Sequence, residues 1–306
     1  MSKLNRKTTA EQASEGVDLA GKHALVTGAN TGLGKETARV LALRGATVTM
    51  ACRDMHKAEA ARSDIVGSSG GAISTEQLEL LKLDMNSLAA VRKSASDFVA
   101  LNKPLHILIN NAGIMIPMER RTEDAFEAHL GINHLAHFLF TNLLLEPLRA
   151  AGGARVVMVS SAAMMAASLT ENLHDLNWQE RKFSGMKSYG DSKLMNLMFA
   201  REFNGRYTEE GIVANALHPG VIGTELARDQ SPLMMAVGVL AMPFMKSIPQ
   251  GAATSIYVAT APQYQNRGGL YFNHCNEVKA QHKLAASDKA CADLWRVSAS
   301  LTGYEP

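Results

Sequence analysis

The sequence has few of the features that mark secreted, membrane-spanning or nucleic-acid-binding proteins. Among its 306 residues there are three cysteines, no CxxC pair and no long basic run, and the formal net charge is +2. So few thiols are typical of a reduced, cytoplasmic protein, and the balanced charge argues against nucleic acid as a partner. The first seventeen residues are polar and contain no apolar core of a signal peptide.

Long hydrophobic runs are also absent. The longest apolar stretch, Leu233–Met245, is shorter than the ~20 residues of a membrane-spanning helix, and it contains Gly238 and Pro243. We therefore expect a soluble protein in the cytoplasm.

Three histidines lie close together in the chain, at His129, His134 and His137. No carboxylate or thiol in the pattern completes a metal site around them. We expect core or cleft histidines and no bound metal.

Short apolar runs alternate with helical patterns, and no linker or internal repeat divides the chain. Such alternation predicts right-handed crossovers and a parallel sheet with helices on both faces. The prediction is one doubly wound α/β domain over residues 18–306, preceded by a loosely held polar arm over residues 1–17. The predicted strands are His23–Thr27, Thr47–Arg53, the end of Glu76–Asp84, Leu105–Asn110, Arg155–Ser160, Ile212–Leu217 and Gly268–Phe272, and the predicted helices are Gly34–Arg44, Met55–Val66, Leu88–Ala100, one or two within Glu123–Leu148, and Tyr189–Tyr207.

A glycine-rich turn follows the first predicted strand. Gly28, Gly32 and Gly34 have the spacing G-x3-G-x-G and open a helix. Glycines allow a close backbone approach to phosphate, and the free N–H groups at the helix start favour its negative charge. A purely structural turn is the alternative, but the position after the first strand favours a pyrophosphate site and a Rossmann-like domain.

The end of the second predicted strand indicates which nucleotide is bound. NAD-binding chains usually place a carboxylate there, whereas this chain has Cys52 followed by Arg53. A guanidinium can pair with a 2′-phosphate, which favours NADP over NAD. Asp54 leaves open a simple surface pair with Arg53.

Polar residues end two further strands. Asp84 is suited to accept a hydrogen bond from an adenine amino group, and a helix N-cap before Leu88 is the equal alternative. Asn110-Asn111-Ala112-Gly113 follows a buried strand, where adjacent amides favour the lining of a cofactor cleft over a plain turn.

Tyr189 and Lys193 stand four residues apart on a predicted helix and therefore share a face. An ammonium beside a phenol lowers its pKa from about 10 toward neutrality, which makes the phenol a usable acid or base. The earlier strand ends in Ser160-Ser161, whose hydroxyls can bind a substrate oxygen. A Tyr-x3-Lys pair alone is common on surface helices, but together with the strand-end serines and the glycine-rich turn it predicts a hydride-transfer enzyme.

These motifs together resemble the short-chain dehydrogenase/reductase superfamily, from about Asp18 to the end of the chain. Within it, the chain is most similar to the branch of the retinol dehydrogenases and WW-domain oxidoreductases. The resemblance is carried by Thr27–Gly34, Ala51–Asp54, Asn110–Gly113, Gly131–Phe138, Ser160-Ser161, Tyr189–Lys193, His218–Val221, Gln250–Thr254 and Leu294-Trp295.

The resemblance implies NADP(H)-dependent hydride transfer on the pro-S face of nicotinamide. It implies that Tyr189 donates the proton, that Lys193 binds the ribose and lowers the tyrosine pKa, and that Ser161 holds the carbonyl oxygen. It implies that Asn133 anchors a water in a relay toward Lys193, with a buried amide that interrupts a helix as the alternative. The expected cofactor contacts are Gly28, Asn30, Thr31, Gly32, Leu33, Gly34, Arg53, Asp84, Met85, Asn111, Ala112, Gly113, Tyr189, Lys193, Pro219, Gly220, Ile222 and Thr224.

Two other functions stay open. The chain also resembles light-dependent protochlorophyllide reductase at Tyr189–Lys193, Arg201–Phe203 and Arg206-Tyr207, which implies reduction of a carbon–carbon double bond in a tetrapyrrole. That family has cysteines where this chain has Val221 and Met195. A cofactor-binding scaffold or redox sensor is an alternative of another class, against which the intact catalytic set argues.

The segment Pro232–Pro249, within a predicted substrate lid over about 224–250, has no charge before Lys246. Its methionines adapt to irregular apolar shapes, so we expect a bulky apolar substrate with Met234 and Met235 as contacts. A core helix, a homo-oligomer interface and peripheral membrane contact are the alternatives.

Overall fold

The computed structural model describes residues 4–222, 245–279 and 282–305, and its strands form a single sheet. The strands are β1 His23–Thr27, β2 Thr47–Cys52, β3 Leu78–Lys82, β4 Ile107–Asn110, β5 Ala154–Val159, β6 Ile212–His218, β7 Tyr271–Asn273 and β8 Asn276–Val278. Their order is β3-β2-β1-β4-β5-β6-β7-β8. Neighbouring strands from β3 to β7 are parallel, and only β8 pairs antiparallel, with β7. This order confirms the predicted doubly wound fold.

Helices cover both faces of the sheet. They are α1 Ala10–Ala13, α2 Gly32–Leu43, α3 Met55–Ser68, α4 Leu88–Val99, α5 Ala136–Leu143, α6 Leu145–Ala150, α7 Gly185–Tyr207, α8 Ile248–Thr260 and α9 Asp288–Thr302, with a π-helical turn at His129–Leu135 and 3-10 turns at Thr75–Gln77, Ala162–Ala166, Thr208–Glu210 and Pro262–Tyr264. One core lies under α4, α5, α7 and α9, and the other under α2, α3 and α8. Within the described ranges, none of these helices combines the length and the apolar character that a membrane crossing requires.

The central strands are apolar throughout because each contributes to both cores. In β1, Leu25 belongs to the core under α4 and α7, while Ala24 and Val26 belong to the opposite core. All five residues of β1 are buried. Alternating side chains on a strand point to opposite faces, so a sheet covered twice needs apolar residues at every position.

The N-terminal segment is not the loosely held arm that we expected. Thr9 and Gln12 form a capping box at the start of α1, and Ala10 and Ser14 are fully buried. The Arg44 guanidinium donates to the Ser14 hydroxyl at 3.0 Å and to the Glu11 carbonyl at 2.8 Å. These contacts pack α1 against α2 and α8. The polar composition of the segment did not predict them.

The helical prediction over Glu123–Leu148 was also wrong at its start. Residues before His129 form a loop in which Ala125 has a φ of 62° and Thr122 and Phe126 bond through their backbones. The π-helical turn, α5 and α6 then follow in succession.

Helices α8 and α9 and strand β8 were not predicted, although the helices carry clear start signals. Ser247 and Gln250 form a capping box before α8, and Ser287 caps α9.

The C-terminal helix is held by an aromatic cluster that also involves α5 and α7. The Trp295 ring lies 5.0 Å from the Phe138 ring and stacks on Phe199 at 5.7 Å, measured between centroids. The Arg206 guanidinium covers the indole at 4.3 Å. Trp295 is almost fully buried and is the largest of the buried side chains that pack α9 against the domain.

We predict that Trp295→Ala lowers the free energy of unfolding by about 3–5 kcal/mol, because it removes a large buried side chain and leaves a cavity. Urea denaturation measures the change. Leu301→Ala is the control, since Leu301 lies on the same helix with 37% of its surface exposed. An equal loss in both variants would contradict the packing role of Trp295.

Candidate active site

The glycine turn brings the ends of β1 and β4 into direct contact. A β-carbon added to Gly34 would lie 2.3 Å from the Gly28 carbonyl oxygen and 2.6 Å from Asn111 Nδ2. Asn111 Nδ2 also donates to the Thr27 carbonyl at 2.9 Å. No side chain fits at Gly34, so the first turn of α2 packs directly against the ends of β1 and β4.

This turn meets the requirements of a pyrophosphate site. Thr31 precedes α2 but makes no side-chain cap, so no hydroxyl of its own occupies the helix N–H groups. Exposed N–H groups and the helix dipole favour an anion there. A β-carbon at Gly251 would lie within 2.7 Å of Leu33 and Ile222, which shows that the turn lies beside the segment after β6. Asn30 and Gly32 are partly exposed in the same turn.

At the end of β2 the carboxylate of Asp54 is engaged with its own helix. Its Oδ1 accepts from the Lys57 N–H at 3.1 Å, and its Oδ2 lies 3.7 Å from Lys57 Nζ. The alternative of an Arg53–Asp54 pair was therefore wrong. Arg53 is exposed, and no carboxylate among the described residues pairs with it.

Asp84 does not cap the following helix. Its Oδ1 accepts from the Asn86 N–H at 2.9 Å, while the Leu88 N–H donates to Asp124. The side chain of Met85 is buried in the core, so a contact of this residue with a cofactor would come from its backbone.

The catalytic candidates converge where β5 ends against α7. Ser160 is buried and donates to the Lys193 carbonyl at 2.6 Å, so the first serine is structural. Ser161 shares a hydrogen bond with the Tyr189 hydroxyl. Lys193 Nζ lies 5.6 Å from the centre of the Tyr189 ring and donates to the Val159 carbonyl at 3.1 Å. The structure thus brings together the three residues that the sequence predicted.

The ionisation of this pair differs from our expectation. Burial raises the pKa of the Tyr189 phenol, and the bond with Ser161 opposes the shift without reversing it. Burial also lowers the pKa of Lys193 to about 8. Spacing alone suggested a depressed tyrosine pKa, but the cost of burying a phenolate is the largest effect on this group. Tyr189 is therefore protonated at neutral pH.

Asn133 lies at the centre of the π-helical turn and is fully buried. Its Oδ1 accepts from the Ile114 N–H at 2.8 Å, and its Nδ2 donates to the Ile114 carbonyl and the Ser192 hydroxyl, both at 3.0 Å. A β-carbon on Gly113 would lie 3.2 Å from Asn133 Oδ1 and 3.3 Å from Lys193 Nζ. Asn133 therefore joins the loop after β4 to α7 beside Lys193.

The clustered histidines are used in separate hydrogen bonds. His129 Nε2 accepts from the Ile116 N–H at 3.0 Å, and its Nδ1 lies 2.9 Å from the buried Glu127 carboxylate. Burial acts to raise the pKa of Glu127, but its hydrogen bonds with His129, Ser188 and Leu130 hold that pKa below the usual value. Among the described residues no group of side chains is arranged to hold a metal ion.

Sequence reasoning did not predict the supporting contacts of two residues, Thr27 and His218. Thr27 Oγ1 accepts from the N–H groups of Asn111 and Ala112, both at 2.9 Å. His218 Nδ1 accepts from the Ala162 N–H at 3.2 Å and so fixes the turn after Ser161. The sequence signal for the contact of Thr27 with Asn111 and Ala112 was the position of this hydroxyl residue at the end of the first strand.

The segment after β6 is only partly described. Pro219 is buried, and Gly220 has a φ of 106° and packs against the side chain of Lys246. The Lys246 N–H donates a hydrogen bond to the Val221 carbonyl at 2.9 Å. Thr224, Met234, Met235 and most of the predicted lid lie outside the described residues.

The fold is that of the doubly wound α/β domains, which bind nucleotides in the crevice where the strand order reverses. Residues 22–172 match the family model of the short chain dehydrogenases. Retinol dehydrogenase 12 of Mus musculus is 44% identical over 289 residues, which cover 94% of this chain and 89% of that protein.

The WW domain-containing oxidoreductase of Danio rerio is 40% identical, with 96% of this chain and 71% of that protein covered. The crystal structure of an uncharacterized protein from Mycobacterium paratuberculosis has a TM-score of 0.75 at 36% identity, with 96% of this chain and 97% of that chain covered. The chain belongs to the short-chain dehydrogenase/reductase family, in its retinol-dehydrogenase-like branch.

We predict that Lys193→Met raises the free energy of unfolding at pH 7. The folded pKa of about 8 against an unfolded value of about 10.4 corresponds to a burial penalty of roughly 3 kcal/mol. Between pH 8 and 10, Lys193 is protonated in the unfolded chain and deprotonated in the folded one. The wild type therefore becomes more stable as the pH rises. The difference in the free energy of unfolding between Lys193→Met and the wild type becomes smaller over the same range. Urea denaturation at pH 7, 9 and 10 tests this.

The exposed Lys187, on the same helix, supplies the control variant Lys187→Met. A stability gain in Lys193→Met that stays constant across this pH range would show that the ammonium is not penalised by burial.

Proposed function

We propose that the protein is an NADP(H)-dependent oxidoreductase that moves a hydride between nicotinamide and the carbonyl or alcohol of a bulky lipophilic substrate. Tyr189 is the proton donor. The observation that carries the proposal is the convergence of Tyr189, Ser161 and Lys193 beside the glycine turn. The nicotinamide supplies or accepts the hydride when it is bound, and the protein holds the substrate oxygen and moves the proton.

The protonation state of Tyr189 favours reduction. A carbonyl oxygen that gains a hydride needs a proton, and a phenol with a raised pKa carries one at neutral pH. Ser161 shares a hydrogen bond with this phenol, so its hydroxyl lies where it can hold the same substrate oxygen. Lys193 supplies positive charge to the ribose side of the cleft.

The preference for NADP rests on the end of β2. Asp54 is committed to the start of α3, and the Cys52 thiol is buried beside the backbone N–H groups of Ala29 and Asn30. No carboxylate of this strand end therefore points to a ribose diol, and the exposed Arg53 is suited to a 2′-phosphate.

The preference for an apolar substrate rests on exposed methionines around the catalytic tyrosine. Met165 is 52% exposed in the turn after Ser161, and Met186 is 42% exposed one turn before Tyr189. Met118 is 77% exposed and follows Pro117, whose backbone packs against Gly185 at the start of α7. Exposed apolar side chains on the segments that flank Ser161 and Tyr189 favour an apolar ligand.

The name of the relative, retinol dehydrogenase 12, supports the same substrate class for this chain. Family membership and the complete catalytic set favour an enzyme over a scaffold or redox sensor. The cytoplasmic location, the homo-oligomer and the peripheral membrane contact stay predictions.

We predict that Tyr189→Phe retains NADPH binding and loses turnover by about 10²–10⁴-fold, because the ring still packs while the transferable proton is gone. NADPH consumption is measured against aldehydes, ketones, steroids and retinoids. Tyr207→Phe on the same helix is the control. Wild-type activity in Tyr189→Phe would show that Tyr189 is not the proton donor. Turnover of a pigment only in light would favour the tetrapyrrole alternative.

We predict that Arg53→Ala weakens NADPH roughly ten- to a hundredfold and leaves NADH nearly unchanged, because only NADPH carries the 2′-phosphate. Fluorescence titration gives both dissociation constants. Lys57→Ala, one turn further along, controls for the general loss of positive charge. Equal losses for the two coenzymes would show that Arg53 has no part in the choice between them.

A further inference from the structure

His137 connects the cofactor side of the cleft to the catalytic side. It is fully buried at the start of α5, one turn after Asn133. Its Nδ1 lies 3.0 Å from the Asn133 carbonyl oxygen, and its Nε2 lies 3.1 Å from Thr27 Oγ1. Thr27 ends β1 directly before the glycine turn, so one imidazole spans the two halves of the site.

The partners determine the tautomer of this ring. A backbone carbonyl can only accept, so Nδ1 of His137 must carry the proton. Burial lowers the pKa of His137 to about 4, which leaves the ring neutral. Nε2 is then an acceptor, and the Thr27 hydroxyl must donate to it.

The hydrogen bonds of Thr27 agree with this assignment. A hydroxyl has one donor and two acceptor sites. Both acceptor sites of Thr27 Oγ1 are taken by the N–H groups of Asn111 and Ala112. The donor is left for His137 at 3.1 Å, in preference to the Ile109 carbonyl at 3.5 Å. Each donor and acceptor in this chain of bonds is therefore used once.

We propose that His137 is a positioning residue that holds the Asn133 turn and the Thr27–Asn111 contact in one fixed relation. The inference rests on the proposed function, because it assigns the two ends of the bond chain to turnover and to cofactor binding. Asn133 adjoins Lys193 through Gly113, and Asn111 adjoins the glycine turn through Gly34. Loss of one bond of His137 should then affect one end of the cleft more than the other.

Two amide variants separate the two bonds. In His137→Asn the side-chain amide reaches the place of Nδ1, so it can still donate to the Asn133 carbonyl but not reach Thr27. In His137→Gln the amide reaches the place of Nε2, so its oxygen can still accept from the Thr27 hydroxyl. His137→Phe keeps a ring and removes both bonds.

We predict that His137→Asn weakens NADPH binding about tenfold and speeds hydrogen exchange of the Asn111 and Ala112 amides, while kcat at saturating NADPH falls less than threefold. His137→Gln should lower kcat about tenfold with the dissociation constant of NADPH within twofold of the wild type. His137→Phe should show both losses. These factors follow from leaving one buried polar group unsatisfied.

His134→Phe is the matched control, because His134 is equally buried but bonds Ser298 of the C-terminal helix. It should lower the melting temperature and leave kcat, the NADPH dissociation constant and the exchange of the two amides unchanged.

The proposal is overturned if His137→Asn and His137→Gln lose the same fractions of affinity and turnover, or if both behave like His134→Phe. If the wild type reduces no substrate, the proposed function fails. Amide exchange and NADPH affinity then still test whether the hydrogen bond between His137 and Thr27 holds the loop after β4 in place. Slow exchange of the Asn111 and Ala112 amides in His137→Phe would show that the His137–Thr27 hydrogen bond does not do so.

Discussion

The hydroxyl of Thr27 is the contact on which the rest of the site depends. The chain leaves β1 toward β2 and leaves β4 toward β5, so the sheet order reverses between these two strands and a crevice opens at their ends. Thr27 Oγ1 accepts from the N–H groups of Asn111 and Ala112, both at 2.9 Å, and the Asn111 N–H is shared with the Ile109 carbonyl at 3.0 Å. The loop after β4 is thereby held so close to β1 that only glycine fits at position 34.

Helix α7 combines a polar functional half with an apolar stabilising half. Its first half buries Asp191, Ser192 and Lys193, and nearly every polar atom is matched: Asp191 accepts from the Ser168 N–H and from Arg181. Lys193 has the Val159 carbonyl but no carboxylate among the described residues, so its charge is buried at a cost. The second half packs Phe199 and Phe203 against Trp295. We infer that this aromatic packing offsets the polar burial on the same helix and allows the catalytic half to stay in place.

The parallel strands and the glycine turn were predictable because their signals are local. Strands buried on both faces are continuous apolar runs, and G-x3-G-x-G directly reports a close backbone approach. The π-helical turn was not predicted, and it contains a contact between residues nine apart: a β-carbon on Gly131 would lie 2.5 Å from the methyl group of Thr122. The docking of the N-terminal segment depends on Arg44, 30 residues from Ser14 in the chain. The spacing of Tyr189 and Lys193 predicted that the two side chains lie close together, but it did not predict how deeply they are buried. Burial determines the direction in which the pKa of the tyrosine shifts.

Burial shifts the pKa values of the two candidate catalytic groups, Tyr189 and Lys193, in opposite directions, and under the proposed function this would couple ligand binding to proton transfer. It raises the pKa of the phenol and lowers that of the ammonium to about 8, so both groups are biased toward their neutral forms. A polar ligand beside Lys193 would favour its charged form, and that charge in turn stabilises a phenolate at Tyr189. The tyrosine then releases its proton more readily when the cleft is filled than when it is not. Gly113 and Asn133 adjoin Lys193, so the same short loop that lines the cofactor cleft also sets the surroundings of the ammonium.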